Sequence, residues 1–403
     1  MVGMGPPTVP LDLARCFMMQ SGNGHGQDRL RAALNRRGWN EIPGCADLQN
    51  LRNCLSNGLG FVWLRGDHNC KVLCDLPAGT SAVINRWPPK PSGSGADLRV
   101  LWHKAELVST LVQYYEAQGL DPWRHHPLTL VLPQGAGASS AAWGEFRTLF
   151  EAVADGTDAR VPLVQRTRNL WLLKPTGGCS GRGIGLGDSL EELQSHYDSC
   201  RAMEGLQAAS ASQAWIAQKY LEAPLLFQGR KFDVRIFALL ESSPQTELGF
   251  ALLAYREGYG RTSSEIFTLD ELHPTMHLTN FAVQKSAEAT FGLHEAGNSI
   301  SFPDIERALG SSVGFLARIV PAMHGLMADA VLAARAQLMD TLAAAGAPKA
   351  IFRTLLAFDL IVEANGSPLL MEINPFPGQT PQNDWHGHYL RRLLDDYVNS
   401  MQT

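Results

Sequence analysis

Three groups of residues have the types and spacing to handle phosphate, metal or a carboxylate. The first is Lys174, at the end of an apolar run and followed by glycines at 177, 178, 181, 183 and 185. Such a loop lets backbone approach a ligand closely and turns N–H groups toward it. Lys174 adds a point charge suited to phosphate. The Gly-Lys-Ser/Thr ending of a P-loop is absent, and no helix clearly opens after the glycines as a dinucleotide fingerprint requires. Taken alone, the segment reads equally as a β-hairpin with a loose tip.

The second group is a charged strand. In Arg230-Lys231-Phe-Asp233-Val-Arg235-Ile236, the residues Lys231, Asp233 and Arg235 alternate with Phe232, Val234 and Ile236. Period two puts the charges on one face and the apolar residues on the other. Mixed charges beside a continuing apolar run, Phe237 to Leu240, suit the floor of a cleft for an anion. A solvated sheet face is the alternative. Downstream, Arg256 and Arg261 fall in a Gly-containing stretch read as a turn, and a guanidinium can hold a carboxylate or phosphate at two points.

The third group is a hairpin that carries acids. Two apolar runs contain Asp359, and Glu372 with Asn374, on either side of Asn365-Gly366, a strong hairpin signal. With residues 365 and 366 as the two central turn residues, Asp359 faces Glu372 directly and Asn374 lies one step along the same face. Like charges set opposite each other destabilise a sheet, so this pair calls for a counter-ion. A few oxygen ligands with phosphates to complete the shell suit Mg²⁺. The alternative is an exposed hairpin whose acids face water.

These groups need a scaffold. The chain has 403 residues, of which 45% are hydrophobic and 18% charged, and a formal net charge of −5. Low charge with ample apolar content excludes a disordered polyelectrolyte. The acidic balance gives no reason to expect nucleic acid as partner. The length suits two or three domains. No apolar run of about 18 residues is evident, so no membrane span is expected. The N-terminus lacks a basic cluster followed by an apolar segment, so no signal peptide is expected. Seven cysteines without a Cys-x-x-Cys read as reduced thiols, and His386 and His388 as surface or packing histidines. An α/β fold is expected. Helices are expected over 27–37, 104–117, 313–345 (with Pro321 as a kink or break) and 389–398. Short strands are expected over 60–64, 80–84 and 128–132, a break over 88–95, and a loop over 134–142.

Taken in order, the lysine and glycine loop, the charged strand and the acid hairpin resemble the tubulin–tyrosine ligase and ligase-like family of the ATP-grasp superfamily. Four blocks carry the resemblance. They are Trp171 to Leu186; Gln218-Lys-Tyr-Leu-Glu222 with the strand at 230–235; Met276-His-Leu-Thr279-Asn280; and Phe358-Asp359 with Met371-Glu-Ile-Asn374-Pro-Phe-Pro377. The likeness covers roughly residues 80 to 380 and is weak in the first hundred.

The resemblance implies an ATP-grasp fold with an N-terminal unit (1–100), a central unit with the phosphate loop (101–217) and a C-terminal unit with the metal site (218–403). ATP would lie between the latter two. It implies phosphate contacts from Lys104, Lys174, Gly178, Ser180, Gly181, Arg182, Gly183 and Ile184, and adenine contacts from the backbone of Gln218, Lys219, Tyr220 and Leu221. Asp233, Thr279 and Asn280 would help order nucleotide or metal, with Asp233 acting either on ribose or on the arginines. Asp359, Glu372 and Asn374 would hold Mg²⁺. Lys231, Arg235 and Arg261, with Glu372, would serve the reacting carboxylate. The implied reaction is ATP-dependent ligation of an amino acid to a protein tail through an acyl phosphate. Arg261-Thr-Ser-Ser-Glu265 resembles the tyrosine-adding members, so tyrosine on the C-terminal glutamate of detyrosinated α-tubulin is the leading expectation. Glutamate or glycine addition, a non-tubulin acceptor and a weakly active nucleotide-binding adaptor stand as alternatives. The expected setting is the cytoplasm, the cytoskeleton or a cilium.

Overall fold

The strands, in chain order, are β1 (Cys16–Met19), β2 (Asn40–Glu41), β3 (Phe61–Trp63), β4 (Val83–Ile84), β5 (Thr129–Leu132), β6 (Trp171–Pro175), β7 (Gly185–Gly187), β8 (Trp215–Lys219), β9 (Leu226–Phe227), β10 (Arg230–Ser242), β11 (Phe250–Thr262), β12 (Ser299–Ser301), β13 (Ile351–Val362) and β14 (Pro368–Pro375). The structure is a computed structural model that describes residues 12–20, 27–44, 47–64, 76, 80–88, 98–137, 139–177, 181–205, 214–243, 246–344, 349–375 and 377–401. The expected break at 88–95 lies almost wholly outside these residues.

Two sheets organise this mixed α/β fold. The larger runs β12-β11-β10-β13-β4-β3-β1-β2, with β14 on β13 and β9 on β10. Strands from the first hundred residues and from the last 180 therefore share one sheet, joined by the parallel pairing of β13 with β4. The smaller sheet runs β5-β8-β6-β7.

Alternation on the central strands decides where chemistry can occur. On β10, Phe232, Val234 and Ile236 turn toward Met323, Met327 and Ala330 of the helix Val320–Ala333. On β13, Phe358, Leu360 and Val362 join the same core. The opposite face of both strands changes character along its length. Phe237, Leu355 and Ala357 are covered by Tyr389, Leu390 and Leu393 of the C-terminal helix Asp384–Asn399. Beyond the reach of that helix the same face carries Lys231, Asp233, Arg235 and Asp359. The charged side chains thus lie beyond the C-terminal helix, where the short helix Pro274–His277 and Thr279 after it approach β10.

The expected helix at 104–117 and the strand near 128–132 are present, and the C-terminal helix is longer than expected. Local expectations are tested at three points. Pro321 lies in the first turn of Val320–Ala333, so the expected kink or break is met as a change from π-helical to α-helical winding just before it. A π-helical turn, Phe315–Ile319, precedes it. The combined stretch Phe315–Ala333 is long and apolar enough by composition to cross a membrane, although Phe315, Ile319, Met323 and Met327 are buried in the core. Arg256 and Arg261 do not sit in a turn: both belong to β11, Arg261 opposite Asp233 and Arg256 in the bulge at 255–257 where the ladder to β10 shifts. The glycines there lie beneath Phe302 and Ile300 instead of bending the chain.

The acid hairpin is the third of these points. Its loop has three central residues: the Gly366 N–H donates to Glu363 O and the Glu363 N–H to Ser367 O. Gly366 adopts φ +90°, the left-handed position that ends such loops. Pairing is therefore one residue off the expected register near the loop, with Leu360 opposite Leu370. A bulge at Met371 restores it, and Asp359 faces Glu372 as expected. Among the described residues Cys16, Cys54 and Cys200 are not joined in disulfides. Cys45, Cys70, Cys74 and Cys179 lie outside them. His386 is buried and His388 exposed.

Candidate active site

An alternating row of acids and arginines crosses three neighbouring strands. Register sets Arg235 opposite Asp359 and Asp233 opposite Arg261. Arg235 donates from Nε to Asp359 Oδ1 and from Nη2 to Oδ2, both at 2.7 Å. Arg261 grips Asp233 in the same way at 2.7 and 2.6 Å. Its Nη2 also lies 3.0 Å from Asp359 Oδ2. Thr279 Oγ1 donates to Asp233 at 2.7 Å. Burial alone would raise the Asp359 pKa, but Arg235 and Arg261 outweigh it and hold the carboxyl well below the usual range. Asp233 is committed to Arg261 and Thr279, so of its two expected roles the structure shows the ordering of an arginine.

The hairpin adds oxygen donors beside this row. Asn374 Nδ2 donates to Asp359 Oδ2 at 3.1 Å and to Glu372 Oε1 at 3.3 Å. Two carboxylates and one amide thus meet at a single point, with Lys104 Nζ 3.7 Å from Glu372 Oε2. The donor set is all oxygen once the amide is turned, and it is doubly anionic. It fits a hard divalent cation that keeps other ligands from water or phosphate.

Two lysines face the hairpin, Lys231 buried and Lys174 half-buried, each held by neutral oxygens. Lys174 donates to Gln218 Oε1 at 2.6 Å. Lys231 donates to the Tyr220 hydroxyl at 2.8 Å and to His277 O at 2.9 Å. Tyr220 passes its own proton to His277 Nδ1 at 2.8 Å, and His277 Nε2–H donates to Glu271 O at 2.6 Å. Burial pulls Lys174 down to about 8. Burial, with Lys174 nearby, pulls Lys231 down to about 7. Both ammonium groups therefore lack a full counter-charge, as a site awaiting phosphate requires.

One cleft of about 720 Å³ collects most of the expected residues: Lys104, Lys174, Gly181, Arg182, Ile184, Lys231, Asp233, Arg261, Thr279, Asn280, Asp359 and Glu372. Leu172, Leu278, Ile361 and Met371 complete its wall, giving an apolar slot beside the polar floor. The Met371 bulge turns both Met371 and Glu372 into the cleft. Gly181 has φ +77°, and a Cβ there would meet Val283 at 2.8 Å, so the backbone at Gly181 can press against the segment that carries Asn280. Arg235 lies behind Asp359, and Asn374 reaches the two acids from the next β14 position. Gly178 and Ser180 lie outside the described residues.

Residues 218–221 border this slot: Tyr220 packs with Leu172, Ile184 and Leu278, and Leu221 with Ile361 and Met371. Gln218 lies within the sheet, paired with Leu172 and Thr129. Lys219, Tyr220 and Leu221 line a separate hollow of about 360 Å³. The Lys219 N–H donates to Leu128 O and the Tyr220 N–H to Leu170 O. The Lys219 ammonium is committed to Glu222 at 2.6 Å and to Leu170 O at 2.9 Å. The segment 262–265 is also spent internally. Ser264 Oγ donates to Gln284 Oε1, Ser263 Oγ to Glu265 O, and Thr262 Oγ1 to Glu295. Sequence reasoning missed His126, His277 as the partner of Tyr220, and the slot residues Leu172, Leu278, Ile361 and Met371. Leu172, His277, Leu278 and Met371 lie inside the recognised blocks but look like ordinary packing residues, and His126 belongs to no spacing pattern.

The fold and this cleft define an α/β protein with a cation-lined, acid-bearing site at the end of a sheet beyond the C-terminal helix. The chain matches the Tubulin-tyrosine ligase family over residues 131–403, and it belongs to that family. It is similar to Tubulin glycylase 3A of Drosophila melanogaster, with 30% identity over 236 residues, 57% of this chain and 22% of that protein. It is similar to Tubulin monoglycylase TTLL3 of Homo sapiens, with 30% identity over 239 residues, 57% of this chain and 29% of that protein. Protein monoglycylase TTLL8 of Homo sapiens shares 30% identity over 237 residues, 57% of this chain and 26% of that protein. The matched region spans under a third of the length of each of these relatives.

Proposed function

We propose that this chain is an ATP-dependent carboxylate–amine ligase of the ATP-grasp type that adds glycine to a carboxylate on an acidic protein tail, tubulin being the acceptor to test first. The observation that carries the reading is the convergence of Lys174, Lys231, Asp359 and Glu372 on one cleft. The glycylase names of the relatives favour glycine. The tyrosine expectation rested on residues 261–265, whose side chains other than Arg261 are engaged within the fold. It has no further support. In this reading the units 101–217 and 218–403 close on the nucleotide, and the protein works in the cytoplasm beside microtubules.

The adenine would lie in the slot formed by Leu172, Ile184, Leu278, Ile361 and Met371. Lys104, Lys174, Lys231 and the loop around Gly181 would take the phosphates. Asp359, Glu372 and Asn374 would hold Mg²⁺, whose charge, when bound, offsets that of the β- and γ-phosphates. An oxygen of the acceptor carboxylate attacks the γ-phosphorus. The bond from that phosphorus to the bridging oxygen breaks, and ADP leaves with the electron pair. The glycine amine then attacks the acyl carbon, loses a proton, and phosphate departs as the C–O bond breaks. Arg261, on the cleft wall and pre-oriented by Asp233, would offset negative charge in both steps, and Arg235, behind Asp359, would add to the positive field. Such a reaction needs positioning and fixed positive charge more than covalent help from the protein.

The test is incorporation of labelled glycine, tyrosine or glutamate into tubulin by the full chain with Mg-ATP. Glycine incorporation with ADP release supports the reading. Tyrosine incorporation alone would contradict the choice of amino acid, and no ADP with any of the three would contradict the enzyme.

A further inference from the structure

His126 is buried at 2% exposure, immediately before β5, and nothing in the reaction above uses it. Its Nδ1 lies 2.6 Å from Leu370 O. A carbonyl only accepts, so the proton sits on Nδ1 and the Nε2 lone pair is free to accept. Gln218 Nε2 lies 3.3 Å from that lone pair and 2.9 Å from Thr129 Oγ1. Thr129 gives its hydroxyl proton to Pro127 O at 2.7 Å, so it too can only accept from Gln218. Both neighbours on this side demand the NH₂ end of the amide. The oxygen end is left to point at Lys174 Nζ, 2.6 Å away. Flipping the amide would set NH₂ against ammonium and oxygen against two acceptors.

We propose that His126 is a positioning residue that, through Gln218, aims Lys174 at the nucleotide phosphates. The chain begins at Leu370, two positions before Glu372 on β14, and ends at Lys174 on β6. It therefore fixes the phosphate lysine relative to the acid hairpin, across the two sheets that form the cleft. Leu370 N–H also donates to His125 O at 2.9 Å, which clamps the histidine segment to the hairpin on both sides of one residue. Burial, with Lys174 near, pulls His126 down to about 4, so the ring stays neutral and its acceptor stays available. Gln218 on this account serves the lysine.

This inference rests on the nucleotide reading, and one experiment separates the two. Equilibrium binding of ATP and of adenosine is measured on the full chain, wild type against His126→Phe, His126→Gln and Thr129→Val. His126→Phe removes the acceptor and is expected to weaken ATP about tenfold, the worth of one charge-linked hydrogen bond, with adenosine unchanged. His126→Gln can still accept from Gln218 and donate to Leu370 O, and is expected to restore ATP binding to within about threefold of wild type. Thr129→Val, a milder change that keeps the result readable if His126→Phe does not fold, is expected to weaken ATP about threefold and leave adenosine alone. ATP binding unchanged in both deleting variants overturns the proposal. So does an equal loss for ATP and adenosine, which would place the effect on the purine or on the fold. A wild-type chain that binds neither compound removes the nucleotide reading and this inference with it.

Discussion

Asp359 and Glu372 sit directly opposite each other on β13 and β14, and they do so through two irregularities that cancel. The three-residue loop ending at Gly366 offsets the ladder by one, and the bulge at Met371 takes the offset back. The two acids differ in their surroundings. Asp359 is 1% exposed and gripped by Arg235 and Arg261, whereas the Glu372 side chain is 28% exposed, with Lys104 at 3.7 Å. Asp359→Asn leaves buried arginine charge without its partner and is expected to cost about 3 kcal/mol of folding stability. Glu372→Gln is expected to cost under about 1 kcal/mol. Chemical denaturation of the two variants checks this order, and equal losses would mean that the arginines do not depend on Asp359. Both variants are expected to lose divalent-cation binding.

Binding of ATP is expected to take up protons. Lys231 and Lys174 are held near 7 and 8, below their ordinary 10.5. Between about pH 7 and pH 10 the unfolded chain therefore binds more protons than the native one, and stability rises with pH across that window. Below about pH 7 both states are charged and this gain is absent. Phosphates favour the charged lysines, so the ATP dissociation constant is expected to rise as pH climbs from 7 to 9. Calorimetry in two buffers of different ionisation enthalpy, at about pH 8, should show close to one proton taken up per ATP. Zero uptake would show that the lysines are charged before ATP arrives.

Lys219 and Glu222 form a buried pair, with side chains 4% and 0% exposed. Glu222 also accepts from the Arg168 and Leu170 N–H groups, so it anchors the start of β6. Glu222→Gln is expected to cost about 3–5 kcal/mol, because Lys219 keeps a buried charge without its partner. Lys219→Met with Glu222→Leu together should cost less than Glu222→Gln alone. Denaturant melts of the three proteins decide the matter, and a double variant as unstable as the single would show that the pair is needed for more than its charge.

The sequence carried the parts of the site that obey a short period. Lys231, Asp233 and Arg235 announce one face of a strand by alternation, and Asn365-Gly366 announces a hairpin that brings Asp359 to Glu372. The sequence was silent where partners are distant and unpatterned. Gln218 lies 92 positions from His126, and Leu370 lies 244 positions from it, so no local period relates them. It was misleading where residue type outran placement. Arg261-Thr-Ser-Ser-Glu265 looked like a substrate motif, yet Thr262, Ser263 and Ser264 are buried in internal hydrogen bonds. The net charge of −5 disfavoured nucleic acid but hid a local field. Lys104, Lys174, Arg182, Lys231 and Arg261 share a cleft wall with three carboxylates, Asp233, Asp359 and Glu372, and a local excess of this kind suffices for an anion.

The central claim is that an acceptor carboxylate is activated by phosphoryl transfer in this cleft. Its most direct test uses an acidic acceptor peptide whose carboxylates carry ¹⁸O, incubated with the full chain, Mg-ATP and glycine. Mass spectrometry of the released phosphate is expected to show one ¹⁸O per phosphate, with ADP as the other product and no label transfer in Glu372→Gln. Phosphate without ¹⁸O, or AMP in place of ADP, would contradict the account.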